Sequence, residues 1–144
     1  MERFFTDVII PFKPGVLLIR FKPSLIPAVG WSLVITVLLC LPGKEFPLIS
    51  WLNKIWFDKW VHILLFLVLV IVWSRSLFNK NYKSENLVKL FIWISLTSFA
   101  YGVLMEIVQH YFVPFRAFEI GDIIADAAGS LAGYLISVRI YKKN

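Results

Sequence analysis

Eight polar residues between positions 58 and 126 have the types and spacings that chemistry would need. Asp58 and His62 stand at i and i+4 with Lys59 between them, and Asp122 and Asp126 repeat the four-residue interval. On a helix each such pair shares a face. Glu106 and Gln109 are spaced i and i+3, and Arg116 stands alone between these two groups. Arg116 and Lys59 suit an anionic group, a guanidinium by its planar fork and an ammonium as a point charge. Glu106 would orient Arg116 or accept a proton, and Asp58 and His62 would complete the wall. The other reading of the same residues is a clasp, in which Arg116 pairs with Glu106 or Asp122 and pins a loop. His110, next to Gln109, reads as interfacial packing.

Covalent and metal-assisted chemistry fit less well. A membrane serine hydrolase needs a base near its nucleophile, yet Ser95, Ser98 and Ser130 lie in apolar stretches with no histidine at hand. A phosphatase of the paired-histidine type needs more cations than Arg116, Lys59 and His62. Asp122-x-x-x-Asp126 offers hard oxygen ligands, but no Gly- and Arg-containing segment precedes it as metal-dependent phosphotransferases require. No metal and no cofactor is therefore expected, and whether the chain is an enzyme is left open. Cys40 is the only cysteine, which excludes an internal disulfide and a thiolate zinc cluster.

The elements that must hold these residues are written in the composition. Of 144 residues 59% are hydrophobic and 17% charged, and mean hydropathy is +0.77. Since a spanning helix takes about 20 apolar residues, four spans nearly exhaust the chain, and a large extramembrane domain is excluded. The spans are expected at 25–41, 58–78, 87–107 and 121–138. Pro27 falls in the first turn of the first, where its missing N–H costs nothing, and Pro42-Gly43 ends it. The first apolar run starts too late for a cleaved signal, and no small-residue site follows it. The fourth span carries small residues every four positions, Gly121, Ala125, Gly129 and Gly133, with Ala128 and Ala132 beside them. Such a stripe lets two helices approach closely in lipid.

The fold class is thus an all-α integral membrane bundle of four helices, residues 25–144, preceded by a segment, 1–24, that repeats Phe-Lys-Pro at 12–14 and 21–23. That segment reads as a basic, aromatic strip lying on the cytoplasmic membrane surface. The net charge of +6 comes from bases spread between apolar runs, not gathered on one face, so nucleic acid is not an expected partner. Ten bases (Lys13, Arg20, Lys22, Arg75, Lys80, Lys83, Lys89, Arg139, Lys142, Lys143) fall in one set of alternate compartments. Four (Lys44, Lys54, Lys59, Arg116) fall in the other. The positive-inside rule then puts both termini in the cytoplasm and the polar ends of spans two to four outside.

Asp58-Lys59 followed by His62 and Phe66, then Glu106-x-x-Gln109, Pro114-x-Arg116, Asp122 and Gly129-x-x-x-Gly133, resembles the VanZ-like membrane proteins in residues and order. The resemblance covers residues 58–133. It implies a small multi-pass protein of the bacterial cytoplasmic membrane, and a link to glycopeptide resistance through a founding member that confers low-level teicoplanin resistance. Family members often carry Asn where this chain has Asp126. The function expected is an outward-facing pocket that binds or modifies an envelope component, a membrane lipid or lipid-linked precursor. The alternative is a non-catalytic assembly subunit with a membrane protein partner.

The charge asymmetry is testable directly. Reporter fusions at Met1 and at Asn144 should both be active only as cytoplasmic reporters; activity outside the cell at either end refutes this topology.

Overall fold

A computed structural model describes residues 24–42, 56–79 and 81–141. The Phe-Lys-Pro repeats, and all of the 1–24 segment but Ser24, lie outside the described residues. Among the described residues there are four helices: α1 (Ile26–Leu39), α2 (Phe57–Leu77), α3 (Ser84–Phe112) and α4 (Ile120–Tyr141). The all-α expectation holds, with differences in length. Helices α2, α3 and α4 are long and apolar enough to cross a membrane. α1 has 14 residues and spans about 21 Å at 1.5 Å per residue, less than the roughly 30 Å of a bilayer core. α3 is longer than its apolar run, because Ser84 to Asn86 and Val108 to Phe112 extend it by a turn at each end. Pro27 does sit in the first turn of α1.

The helices run alternately up and down, so α2 and α4 are parallel to each other and α3 is antiparallel to both. α4 packs most closely on α2 and next on α3, while α1 lies against α2, touches α3 lightly and does not reach α4. The glycine stripe explains the first contact. A Cβ on Gly129 would overlap the carbonyl oxygen of Ile63, and one on Gly133 would stand 2.7 Å from the Leu67 carbonyl and 2.8 Å from the Val70 Cβ. Two backbones touch there with no side chain between them, which is how helices associate where lipid removes the hydrophobic drive.

Side chains fill the remaining space in two clusters. Ile35 and Leu39 of α1 meet Leu65, Phe66 and Leu69 of α2 and Met105 of α3. Nearer the other end, Val70 meets Leu87, Phe91 and Ile94. Hydrogen bonds tie α1 to the bundle, since apolar contact alone does not distinguish a helix from lipid. The Trp31 indole donates to the Leu65 carbonyl at 3.1 Å, the Trp73 indole to Ser32 Oγ at 3.2 Å, and the Tyr101 and Thr36 hydroxyls pair at 2.7 Å. The exterior remains apolar: Leu64, Trp93, Leu104 and Ile124 are all exposed.

Gly129→Leu or Gly133→Leu should separate α4 from α2, at a cost of about 3 kcal/mol or more, the upper range for overpacking. Gly30 has nothing within 4 Å of an added Cβ, so Gly30→Leu is the control. The check is thermal melting in detergent beside the amount of protein in the membrane; equal melting of all three variants would place the stripe in lipid.

Candidate functional site

Because α2 and α4 start at the same end and α3 finishes there, their polar residues meet. α2 brings Asp58, Lys59 and His62 in its first two turns. α4 brings Asp122 and Asp126, and α3 brings Glu106 and Gln109 near its last turn. Glu106 and Asp126 each lie six residues inside a helix end, about 9 Å along the axis. His62, Glu106, Gln109, Asp122 and Asp126 are all buried, between 1% and 4% exposed. Buried ionisable groups in a spanning bundle are costly and need partners, and the geometry supplies them.

Lys59 is the hub. Its Nζ donates to Asp122 Oδ1 at 2.6 Å, to Glu119 Oε2 at 2.5 Å and to Asp58 Oδ2 at 2.7 Å. An ammonium has three N–H donors, so all are engaged. Asp122 is the buried partner, its side chain 6% exposed, whereas Asp58 and Glu119 are more than half exposed and form the rim. The oxygens of Asp58, Glu119 and Asp122 lie within 4.8 Å of one another, a spacing that suits a cation. Here the Lys59 ammonium stands among them and supplies the positive charge that a hard cation would bring.

Behind this hub, His62 Nδ1 lies 2.9 Å from Asp126 Oδ1, and its Nε2 lies 3.9 Å from Asp122 Oδ2. One carboxylate thus orients the ring and the other faces its second nitrogen. Asp126 fits because Gly102 of α3 has no side chain: a Cβ there would be 2.5 Å from Asp126 Oδ2. Gly121 plays the same part for Lys59, whose Cε would lie 2.8 Å from an added Cβ. Glu106 Oε1 accepts the backbone N–H of Glu119 at 2.5 Å, so a side chain of α3 holds the residue just before α4. Phe115, with φ 63°, takes the left-handed conformation in the turn that brings the chain there, an unusual one for a bulky residue.

The sequence expectations fare unevenly. Asp58, Lys59, His62, Asp122 and Asp126 come together, with Glu106 against the adjoining loop. Gln109 instead faces α1, its Nε2 donating to the Leu39 carbonyl at 2.9 Å, and so ties α1 to α3. Arg116 lies half-buried in the loop at 113–119; the cation on Asp122 is Lys59, and the donor on Glu106 is a backbone amide. Of the small residues, Gly129 and Gly133 seat α4 on α2, Gly121 accommodates Lys59, and Ala125 is buried between them. His110 is exposed and meets Tyr111 and Phe118 edge to face. Glu119 and Gly102 were not foreseen. Gly102 had a signal, since it precedes Glu106 by four residues and so shares its helix face; Glu119 lies in the loop before α4.

The VanZ/LLP1 family model matches residues 22–141. The chain belongs to the VanZ/LLP1 family. The match takes in α1 as well as the 58–133 stretch on which the resemblance stood. No curated protein and no solved structure matches this VanZ/LLP1 chain.

Stripping Lys59 should expose the dependence of this corner on one cation. Lys59→Met leaves Asp122 buried against two other carboxylates and should cost about 3 kcal/mol, the low end for breaking a buried pair because two partners reach solvent. Adding Asp122→Asn should recover part of the loss. Melting of the two variants in detergent checks this, and additive losses would mean that the two residues act independently.

Proposed function

We propose that this VanZ/LLP1 protein resides in the bacterial cytoplasmic membrane as a multi-pass bundle and binds the polar head of an envelope lipid or lipid-linked precursor at the outward-facing cluster. The reading rests on one observation: four buried ionisable side chains, His62, Glu106, Asp122 and Asp126, gather at one end of a helix bundle whose exterior is apolar, where intramembrane ionisable groups usually mark a functional site. Their rim offers the half-exposed oxygens of Asp58 and Glu119. A head with hydroxyl or amine donors meets those oxygens, its phosphate meets Arg116, and its acyl or prenyl tail lies along the apolar exterior.

Binding suits the site better than covalent catalysis. Among the described residues the Ser95 hydroxyl donates to the Ser130 carbonyl at 3.0 Å, and both histidine contacts at the site are carboxylates. Among the described residues no nucleophile is paired with a base there. A second reading, a non-catalytic subunit of a membrane complex, draws on the engagement of all three Lys59 donors within the chain, which is what a structural clasp needs.

The test is the lipid content of the protein purified in mild detergent, read by mass spectrometry. The parent should carry an envelope lipid or prenyl-linked precursor enriched over the bulk membrane. Arg116→Ala and Asp58→Asn should lower that enrichment about tenfold, as the loss of roughly 1.4 kcal/mol would, while melting within a few degrees of the parent. Glycopeptide sensitivity of cells should follow the lipid. If the parent shows no enrichment and the variants melt early or lose a co-purifying membrane protein, the subunit reading replaces this one.

A further inference from the structure

The end of the bundle away from the charged cluster holds two buried hydroxyls with no assigned role. Ser74 of α2 and Ser137 of α4 are both 0% exposed, and neither hydroxyl has a hydrogen-bond partner among the described residues. Three other helical hydroxyls satisfy themselves on the carbonyl one turn back: Ser32 on Ala28, Thr36 on Ser32 and Thr97 on Trp93, each at 2.9 Å. Ser74 and Ser137 do not. Where neither bulk water nor a neighbouring carbonyl is taken, an orphaned hydroxyl is expensive.

Register brings the two together. α2 and α4 run parallel, and Gly133 sits against Val70. Ser137 follows Gly133 by four residues and Ser74 follows Val70 by four, so the same relation recurs one turn on, on the same faces. At the glycine the helices touch; a turn further the register sets Ser74 and Ser137 on the facing sides of the two helices, and their hydroxyls do not bond directly. Around them the wall is apolar, with Val70, Leu87 and Phe91, and Tyr141 lies on Phe78 at 4.6 Å and on Phe91 at 5.8 Å between ring centroids.

We propose that one buried water molecule bridges Ser74 and Ser137 across the α2–α4 contact. It donates to one hydroxyl and accepts from the other. This meets the two to four polar partners that a buried water needs. The parallel pair is then held by backbone contact in its middle and by a hydrated joint at one end.

Two measurements test it. Ser74→Ala and Ser137→Ala should each lower the melting temperature in detergent, by roughly 2–4 °C, because each leaves the water and the other hydroxyl short of a partner. The double variant should melt closer to the parent than the sum of the two losses, since it removes the polar pair altogether. Infrared difference spectra should show a weakly bonded O–H stretch that shifts in H2(18)O and disappears in both single variants. Single variants as stable as the parent, or strictly additive losses, overturn the proposal in favour of dry small-residue packing. Coupled losses without an isotope-sensitive water band overturn it in favour of a direct bond between the hydroxyls.

Discussion

The close approach of α4 to α2 is the constraint on which the rest depends. With Gly129 against the Ile63 carbonyl and Gly133 against Leu67 and Val70, the two backbones meet without intervening side chains. Their register is thereby set. One turn before Gly129, Asp126 comes level with His62, and another turn earlier Asp122 comes level with Lys59. A larger residue in the stripe would widen the gap between the helices, and charges designed to meet at less than 3 Å would each be left buried alone. In lipid, where apolar side chains gain nothing by leaving their neighbours, this backbone contact is the available source of close packing.

Charge placement follows from that contact and in turn limits it. A bundle can keep several carboxyls at depth only if each has a donor, and here the donors differ in kind: an ammonium, an imidazole and a backbone amide. The amide of Glu119 on Glu106 links the third helix to the beginning of the fourth, so the connecting loop is fastened at the point where it turns into α4. Glycine acts twice more as the means of making space, Gly102 for the Asp126 carboxylate and Gly121 for the Lys59 stem. Small residues in this protein therefore serve polar side chains as well as helix contacts.

α1 stands apart from this scheme. It is short, does not reach α4, and is joined through Trp31, Trp73, Tyr101, Thr36 and Gln109 rather than through charge. Gln109, one turn from Glu106 on the same helix, uses its amide on the Leu39 carbonyl at the end of α1, where the last carbonyls of a helix have no partner of their own. A residue that looked like part of the polar site thus ends the first helix.

The sequence by itself determined the helical class, the places of α2 to α4, the small-residue stripe and the membership of five of the polar residues in one cluster. It could do so because hydropathy, four-residue spacing and alternating helix direction are local or nearly local properties, and an up-and-down order sends alternate helix ends to the same side. Which cation serves which carboxylate was decided only by the tertiary structure. Arg116 and Lys59 are equally basic on paper, but their partners depend on how far α4 is rotated and shifted on α2, and that rests on contacts between residues some 60 positions apart, such as Lys59 with Asp122. The same holds for Gly102, whose missing side chain matters only once Asp126 is brought against it, and for Ser74 and Ser137, which share the α2–α4 seam only through the register that Gly133 imposes.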